Sequence, residues 1–309
     1  MLKIKFWGVR GSTPCPGPTT VRYGGNTACI EFRFSHDNKE KLVILDAGSG
    51  LRALGNELMA KDLPKGPLNI DLLISHTHWD HIMGFPFFTP IYVPGTRINV
   101  YGPVTYEDDG LDKIIGDQLS YRYFPVKQSE LSADIRYYPL KERTMELENG
   151  VFVTSKYLNH PILCLGYRFE YRGKSVVTVY DNEPFRNLFP TDPADPDYDE
   201  IAAREGEAAA REENDKLLRF ISGADVLIHD SQYTRAEYKK SFLGWGHSTF
   251  EHVINTAHRA EVKNVYFFHH DPLRTDDQLE ELLAEYRAKI KGKTPLELHL
   301  AQEGLEILL

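Results

Sequence analysis

An apolar run, Leu72-Leu73-Ile74-Ser75, breaks abruptly into His76-Thr77-His78-Trp79-Asp80-His81. Three imidazoles and a carboxylate so close together are costly to bury unless something pairs them. A divalent cation is the partner that suits neutral imidazole and carboxylate at once. If the apolar run is a strand, its two-residue period puts His76 and His78 on one side, where both reach one ion. The chain must then turn, and in a turn Asp80 and His81 can address a second ion beside the first.

Residues of the same kind recur where other apolar stretches end. Val151–Leu158 runs into Asn159-His160, a position equally compatible with core packing and with ligation. The strand-like Ser175–Tyr180 delivers Asp181, with Glu183 as the competing carboxylate, and Asp225–Asp230 ends in His229 and Asp230. Gly244-Trp245-Gly246-His247 leads into a helix expected over Thr249–Ala260, with Ser248 and Glu251 at capping-box spacing. His247 therefore sits on a fixed, glycine-flanked corner. Lys263–Phe268 reads as the last buried strand and ends in His269-His270. Upstream, Leu42–Leu45 delivers Asp46, which either caps the helix expected over Leu51–Lys61 or accepts the second N–H of a metal-bound histidine.

The His-x-His-x-Asp-His run after an apolar strand resembles the metal-binding motif of the metallo-β-lactamase-fold hydrolases. The resemblance implies His76 and His78 on one ion, Asp80 and His81 on another, and His160 as the third histidine. It implies Asp181 as a bridging carboxylate and His269 as the last ligand, with a one-residue slip to His270 as the alternative. It favours the orienting role for Asp46. The final histidine of the motif points to the phosphodiesterase-like and thioester-hydrolysing branches, since true β-lactamases usually depart there. His229-Asp230-Ser231-Gln232-Tyr233 and Gly246-His247-Ser248-Thr249 resemble the matching pair in transfer-RNA 3′-processing nucleases and their phosphodiesterase relatives. That likeness implies that Asp230 orients His247, that His247 is the general acid, and that Asp80 belongs to the catalytic group as well as to the ligands.

The elements that must position these residues alternate between strand and helix, which fits one α/β domain over residues 1–309. The resemblance implies the four-layer αββα sandwich. It also implies two divalent ions, with zinc suiting the histidine-rich set and Mn2+ or Fe2+ as alternatives. Gly8 to Asn26 is a long glycine- and proline-punctuated loop, and such loops are often functional. Residues 190–220 pass from an acidic proline-rich loop to an Ala/Glu/Arg helix, an insertion whose simplest reading is a solvated helix and whose functional one is a lid or a homodimer contact. Leu279, Leu282, Leu283 and Tyr286 give the helix expected over Thr275–Ile290 one apolar face, and Glu297–Leu300 with Leu305–Leu309 is expected to form an edge hairpin. Phe85, Phe87, Phe88 and Tyr92 read as packing below the site.

No apolar run approaches membrane-spanning length, and the start lacks a secretory signal pattern. Three cysteines, Cys15, Cys29 and Cys164, match neither a disulfide framework nor a zinc ribbon and suit a reducing cytoplasm. The net charge of −9 disfavours a broad basic surface for a polyanion. The interval from His160 to Asp181 has room for a hairpin and none for the substrate-binding arm that many of the transfer-RNA nucleases carry there. The sequence therefore points to a small phosphodiester, a cyclic nucleotide in particular, cleaved by hydroxide held between two ions. An RNA 3′-processing endonuclease and a thioester or lactone hydrolase are the alternatives. A flavin-linked redox protein would need a second domain for which there is no room.

Overall fold

The computed structural model describes residues 1–37, 39–104 and 109–309, so the mixture of helix and loop expected over 105–132 lies partly outside the described residues. Among the described residues, fourteen strands form two seven-stranded sheets. The first runs β14 (Glu306–Leu308), β1 (Leu2–Gly8), β2 (Cys29–His36), β3 (Lys39–Leu45), β4 (Asn69–Leu73), β5 (Arg97–Pro103) and β6 (Asp134–Leu140). The second runs β13 (Glu297–Leu300), β12 (Asn264–Phe268), β11 (Val226–Asp230), β10 (Lys174–Val179), β9 (Cys164–Tyr171), β8 (Val151–Leu158) and β7 (Arg143–Leu147). The helices are α1 (Leu51–Lys61), α2 (Trp79–Ile82), α3 (Leu111–Gly116), α4 (Glu200–Ile221), α5 (Arg235–Glu237), α6 (Phe250–Arg259) and α7 (Asp276–Ile290).

Alternation decides the layering. In β1 the side chains of Leu2, Ile4 and Phe6 are buried and those between them are not, because one face meets the other sheet. Phe32 and Phe34 of β2 pack on Phe169 and Tyr171 of β9 across the middle of the sandwich, the Phe32 and Phe169 rings stacked at 4.4 Å. The central strands β3, β4, β10, β11 and β12 are buried on both faces, and their sequences are correspondingly near-continuous apolar runs. A second cluster lies between the first sheet and α1 with α3, through Leu51, Leu54, Leu58, Leu111 and Ile115. A third lies between the second sheet and α4, α6 and α7, through Leu217, Ile221, Val253, Ala257, Leu279 and Tyr286. The result is the αββα sandwich. The long helix after the acidic loop is thus solvated along most of its length but drives Leu217 and Ile221 into the core.

Three expectations need correction. The two C-terminal strands do not form an edge hairpin: β13 pairs in parallel with β12, and β14 pairs antiparallel with β1 in the other sheet. Leu298 and Leu300 are buried beneath α7, while Leu305 and Ile307 pack into the space between the sheets, so the chain crosses from one sheet to the other between them. The cap of α6 is Thr249, whose hydroxyl accepts from His252 N, rather than Ser248, whose hydroxyl donates to Asn182 O at 2.5 Å. Of the aromatic cluster, Phe85 and Phe88 are buried but Phe87 is exposed.

The loop from Gly8 to Asn26 is ordered by a side chain that sequence inspection passed over. Arg10 is fully buried, pairs with Asp276 Oδ1 at 3.1 Å, and donates to the carbonyls of Gly24, Asp271 and Arg274. It therefore ties the loop to the turn that follows β12. Breaking a buried ion pair from one side leaves the other charge uncompensated. Arg10→Met should lower unfolding stability by about 3–5 kcal/mol in urea denaturation.

Candidate active site

The site lies where β4 of the first sheet and β10, β11 and β12 of the second end; parallel pairing puts the last three ends side by side, and the loop after β4 meets them from the facing sheet. β4 closes at Leu73, so His76 lies in the loop beyond the strand and His78 is the residue before α2. The pair converges even so, through different atoms: His76 Nε2 lies 3.0 Å from His78 Nδ1. His160 Nε2, from the loop after β8, comes within 3.1 Å of the same His78 atom. α2 carries Asp80 and His81, and His269 follows β12 with a positive φ of 58° that turns its ring into the cleft.

Asp181 follows β10 and stands between two sets of donors. Its Oδ2 is 3.4 Å from His76 Nε2 and 3.7 Å from His160 Nε2. Its Oδ1 is 3.4 Å from His81 Nε2 and 3.3 Å from His269 Nε2. Asp80 Oδ2 completes the second set, 3.3 Å from His81 Nε2 and 3.2 Å from His269 Nε2. The two sets, His76, His78, His160 and Asp181 on one side and Asp80, His81, Asp181 and His269 on the other, each converge within 4.8 Å.

The outer nitrogens of these rings are already occupied. Ser75 Oγ lies 3.0 Å from His76 Nδ1 and itself donates to Asp46 Oδ2. Asp46 Oδ2 takes the Nδ1–H of His81 at 2.7 Å, Gly246 O that of His160 at 3.0 Å, and Gln232 Oε1 that of His269 at 3.2 Å. With Nδ1 protonated in each, Nε2 is a bare lone pair facing its set. Asp181 Oδ1 is buried without a hydrogen-bond partner, a costly condition for a carboxylate oxygen unless a cation answers it. Nitrogen and carboxylate donors in two adjoining sets fit two divalent ions.

Electrostatics agree for the first set and differ at His81 in the second. Burial pushes His76 and His78 down and takes His160 to about 4, leaving neutral rings. Burial would also lower His81, but Asp80, Asp181 and Asp46 outweigh it and raise it. Burial raises Asp80 and Asp181 while the neighbouring histidines pull both well below the carboxylate range. The pocket is short of positive charge.

A third group lies alongside. Asp230 is fully buried and its Oδ2 accepts from His247 Nδ1 at 3.0 Å, Ser248 N at 3.1 Å and Asn182 N at 3.3 Å. Those donors occupy Oδ2, which leaves this group less suited to an ion than the other two. Burial lowers His247, but the Asp230 carboxylate dominates and raises it to about 9. Its ring lies against His160 at 5.5 Å and His269 at 5.0 Å, one ring from each set.

Three alternatives weighed in the sequence do not match the geometry: Asp46 as a cap, His270 as the last ligand and Glu183 as the second carboxylate. Asp46 does not cap α1, whose N-terminal flank is Gly50; it accepts from Ser75 and His81. His270 turns away to donate to Ala301 O. Glu183 accepts from Tyr238 Oη, Gly244 N and Gly246 N, outside both sets. The sequence reading missed Ser75, Gln232 and Ser12, whose backbone N–H donates to Asp80 Oδ2 at 2.7 Å. Ser75 and Gln232 stood inside quoted motifs, but nothing in a neutral side chain marks it as a histidine's partner. Outer partners of this kind are worth roughly 10–100-fold in metal affinity. Asp46→Asn should weaken metal binding by that factor in a chelator competition.

Residues 22–219 match the metallo-beta-lactamase superfamily. Ribonuclease Z of Thermoplasma acidophilum is 25% identical over an alignment covering 96% of this chain and 95% of that one. Among solved structures, a diphosphatase of the PhnP family superimposes with a TM-score of 0.61 at 17% identity, covering 100% of this chain and 98% of that one. Human tRNase Z, short form, superimposes at 0.60 and 18% identity, covering 99% and 98%. The two-sheet sandwich, the histidine- and aspartate-lined cleft and this match make the chain a member of the metallo-beta-lactamase superfamily and a metal-dependent hydrolase.

Proposed function

We propose that the chain is a dinuclear phosphodiesterase whose ligands are His76, His78, His160, Asp80, His81, His269 and a shared Asp181. The observation that carries this reading is that Asp181 turns one oxygen to each donor set, while His247 lies against a ring from both. Two divalent ions, zinc by the donor set, would supply positive charge for a phosphoryl group and lower the pKa of water from 15.7 towards about 7. The chain's own residues do the rest. Asp230 holds His247 by Nδ1, which keeps the imidazolium charged and leaves Nε2–H to protonate the departing oxygen. Ser12 N and Gln232 fix Asp80 and His269. A thioester hydrolase would have little use for this acid, because a thiolate departs more readily than an alkoxide.

For the diester itself, relatives named ribonuclease Z that span nearly the whole chain favour RNA, the 3′-processing alternative, over a cyclic nucleotide. The small diester remains as a second reading on one observation: β9 and β10 use up the interval between His160 and Asp181, and no arm projects there. A reducing cytoplasm belongs to the same reading, with all three cysteines free. No helix among the described residues is long and apolar enough to cross a membrane. Metal-loaded protein should be offered a transfer-RNA precursor with a 3′ trailer beside cyclic AMP. Endonucleolytic removal of the trailer supports RNA, turnover of cyclic AMP alone moves the assignment to the small diester, and failure on both overturns the phosphodiesterase reading.

A further inference from the structure

Glu183 is a buried carboxylate that the proposed chemistry leaves unused. It accepts from the phenol of Tyr238 and from the backbone N–H groups of Gly244, at 2.9 Å, and Gly246, at 3.0 Å. Both glycines have positive φ, 86° and 81°, which a side chain would adopt only with strain. A Cβ on Gly246 would fall 2.3 Å from His160 Nδ1, so this loop is laid directly on a ring of the site, and Gly246 O holds that ring. Trp245 is the residue between the two clamped glycines. The residue is 59% exposed, and its ring meets that of Phe242 edge-on at 5.4 Å. Phe242 stacks on Tyr233 at 4.1 Å, and Tyr233 meets the His247 ring edge-on at 6.0 Å. A fold that clamps the backbone on both sides of an exposed indole, one residue from a carbonyl that orients a site histidine, holds a flat apolar surface next to the site. By contrast, Trp7 is accounted for by Glu31 and Lys5.

We propose that Trp245 is the base-stacking residue of the substrate site and that Glu183 is the positioning residue that holds it there. The substrate class is then a phosphodiester that carries a nucleobase on the His247 side. This rests on the phosphodiesterase reading but is tested separately from it. Every base has a π-face, so a stacking indole raises affinity with little sequence preference. Holding it rigid removes the ordering cost from binding.

The test is equilibrium binding of adenosine 5′-monophosphate and ribose 5-phosphate to zinc-loaded protein by calorimetry. The two ligands share the sugar phosphate and differ in the base. Wild type should bind the nucleotide roughly 5- to 150-fold more tightly, the range that stacking on one base provides. Trp245→Ala should abolish that ratio, Trp245→Phe should keep part of it, and Glu183→Gln should reduce it while ribose 5-phosphate still binds. Tryptophan fluorescence should be quenched by the nucleotide in wild type and not in Trp245→Phe. Equal or absent binding of the two ligands to wild type overturns the proposal. So does a ratio that survives in Trp245→Ala and disappears in Trp79→Ala, the other indole exposed beside the site. The phosphodiesterase reading is decided by hydrolysis and stands or falls independently.

Discussion

His247→Ala should reduce turnover of an unactivated diester by about 10²–10⁴-fold, the usual contribution of a positioned general acid. The loss should be much smaller on a nitrophenyl diester, because nitrophenolate leaves without needing a proton. That contrast separates a general acid from a residue that merely packs: a structural defect lowers both rates alike. Steady-state rates on the two substrates check it. Asp230→Asn carries the complementary expectation. The carboxylate is what raises His247, so its removal lowers the pKa of the acid. The acid must be protonated to act, so the alkaline fall of the pH–rate profile should move to lower pH. Two bound cations would already hold the wild-type value below that of the empty pocket, but the direction of the Asp230→Asn shift is unchanged.

Asp181→Ala should have the other large effect. Each Asp181 oxygen faces one donor set, so its loss leaves two groups of histidines with less negative charge to hold cations together. Metal content by mass spectrometry should fall from two ions per chain to one or none. Lewis-acid assistance is worth several kcal/mol of transition-state stabilisation, so turnover should fall on the order of 10³-fold or more. Retention of two ions would mean that Asp181 does not bridge. Circular dichroism of the variant checks that lost metal is not lost structure.

The histidine motif was legible because its ligand types are packed into one short stretch, with a strand pattern before it. Positions such as His160, Asp181 and His269 were legible for a different reason: apolar stretches end there, and parallel strands bring their ends together. The His269 choice over His270 turned on a local rotation. Positive φ at His269 aims its ring into the cleft, whereas His270 is spent on Ala301 O. What sequence inspection missed depends on long-range placement. Ser12 reaches Asp80 by a backbone N–H, and Gly246 reaches His160 by a carbonyl, contacts any residue type could make. The edge hairpin failed because short apolar strands carry no mark of which sheet they join; burial under α7 claimed one and the inter-sheet space the other. β7 was overlooked because Arg143, Thr144 and Glu146 read as polar loop, and an edge strand needs little apolar content.

Hydrolysis of bis(p-nitrophenyl) phosphate beside p-nitrophenyl acetate, by zinc-loaded protein with and without chelator, tests the central claim most directly. Cleavage of the diester, abolished by chelator and restored by metal, with little cleavage of the acetate, is the predicted result. Cleavage of the acetate with the diester left intact would contradict it and identify the site as one for carboxylic esters or thioesters.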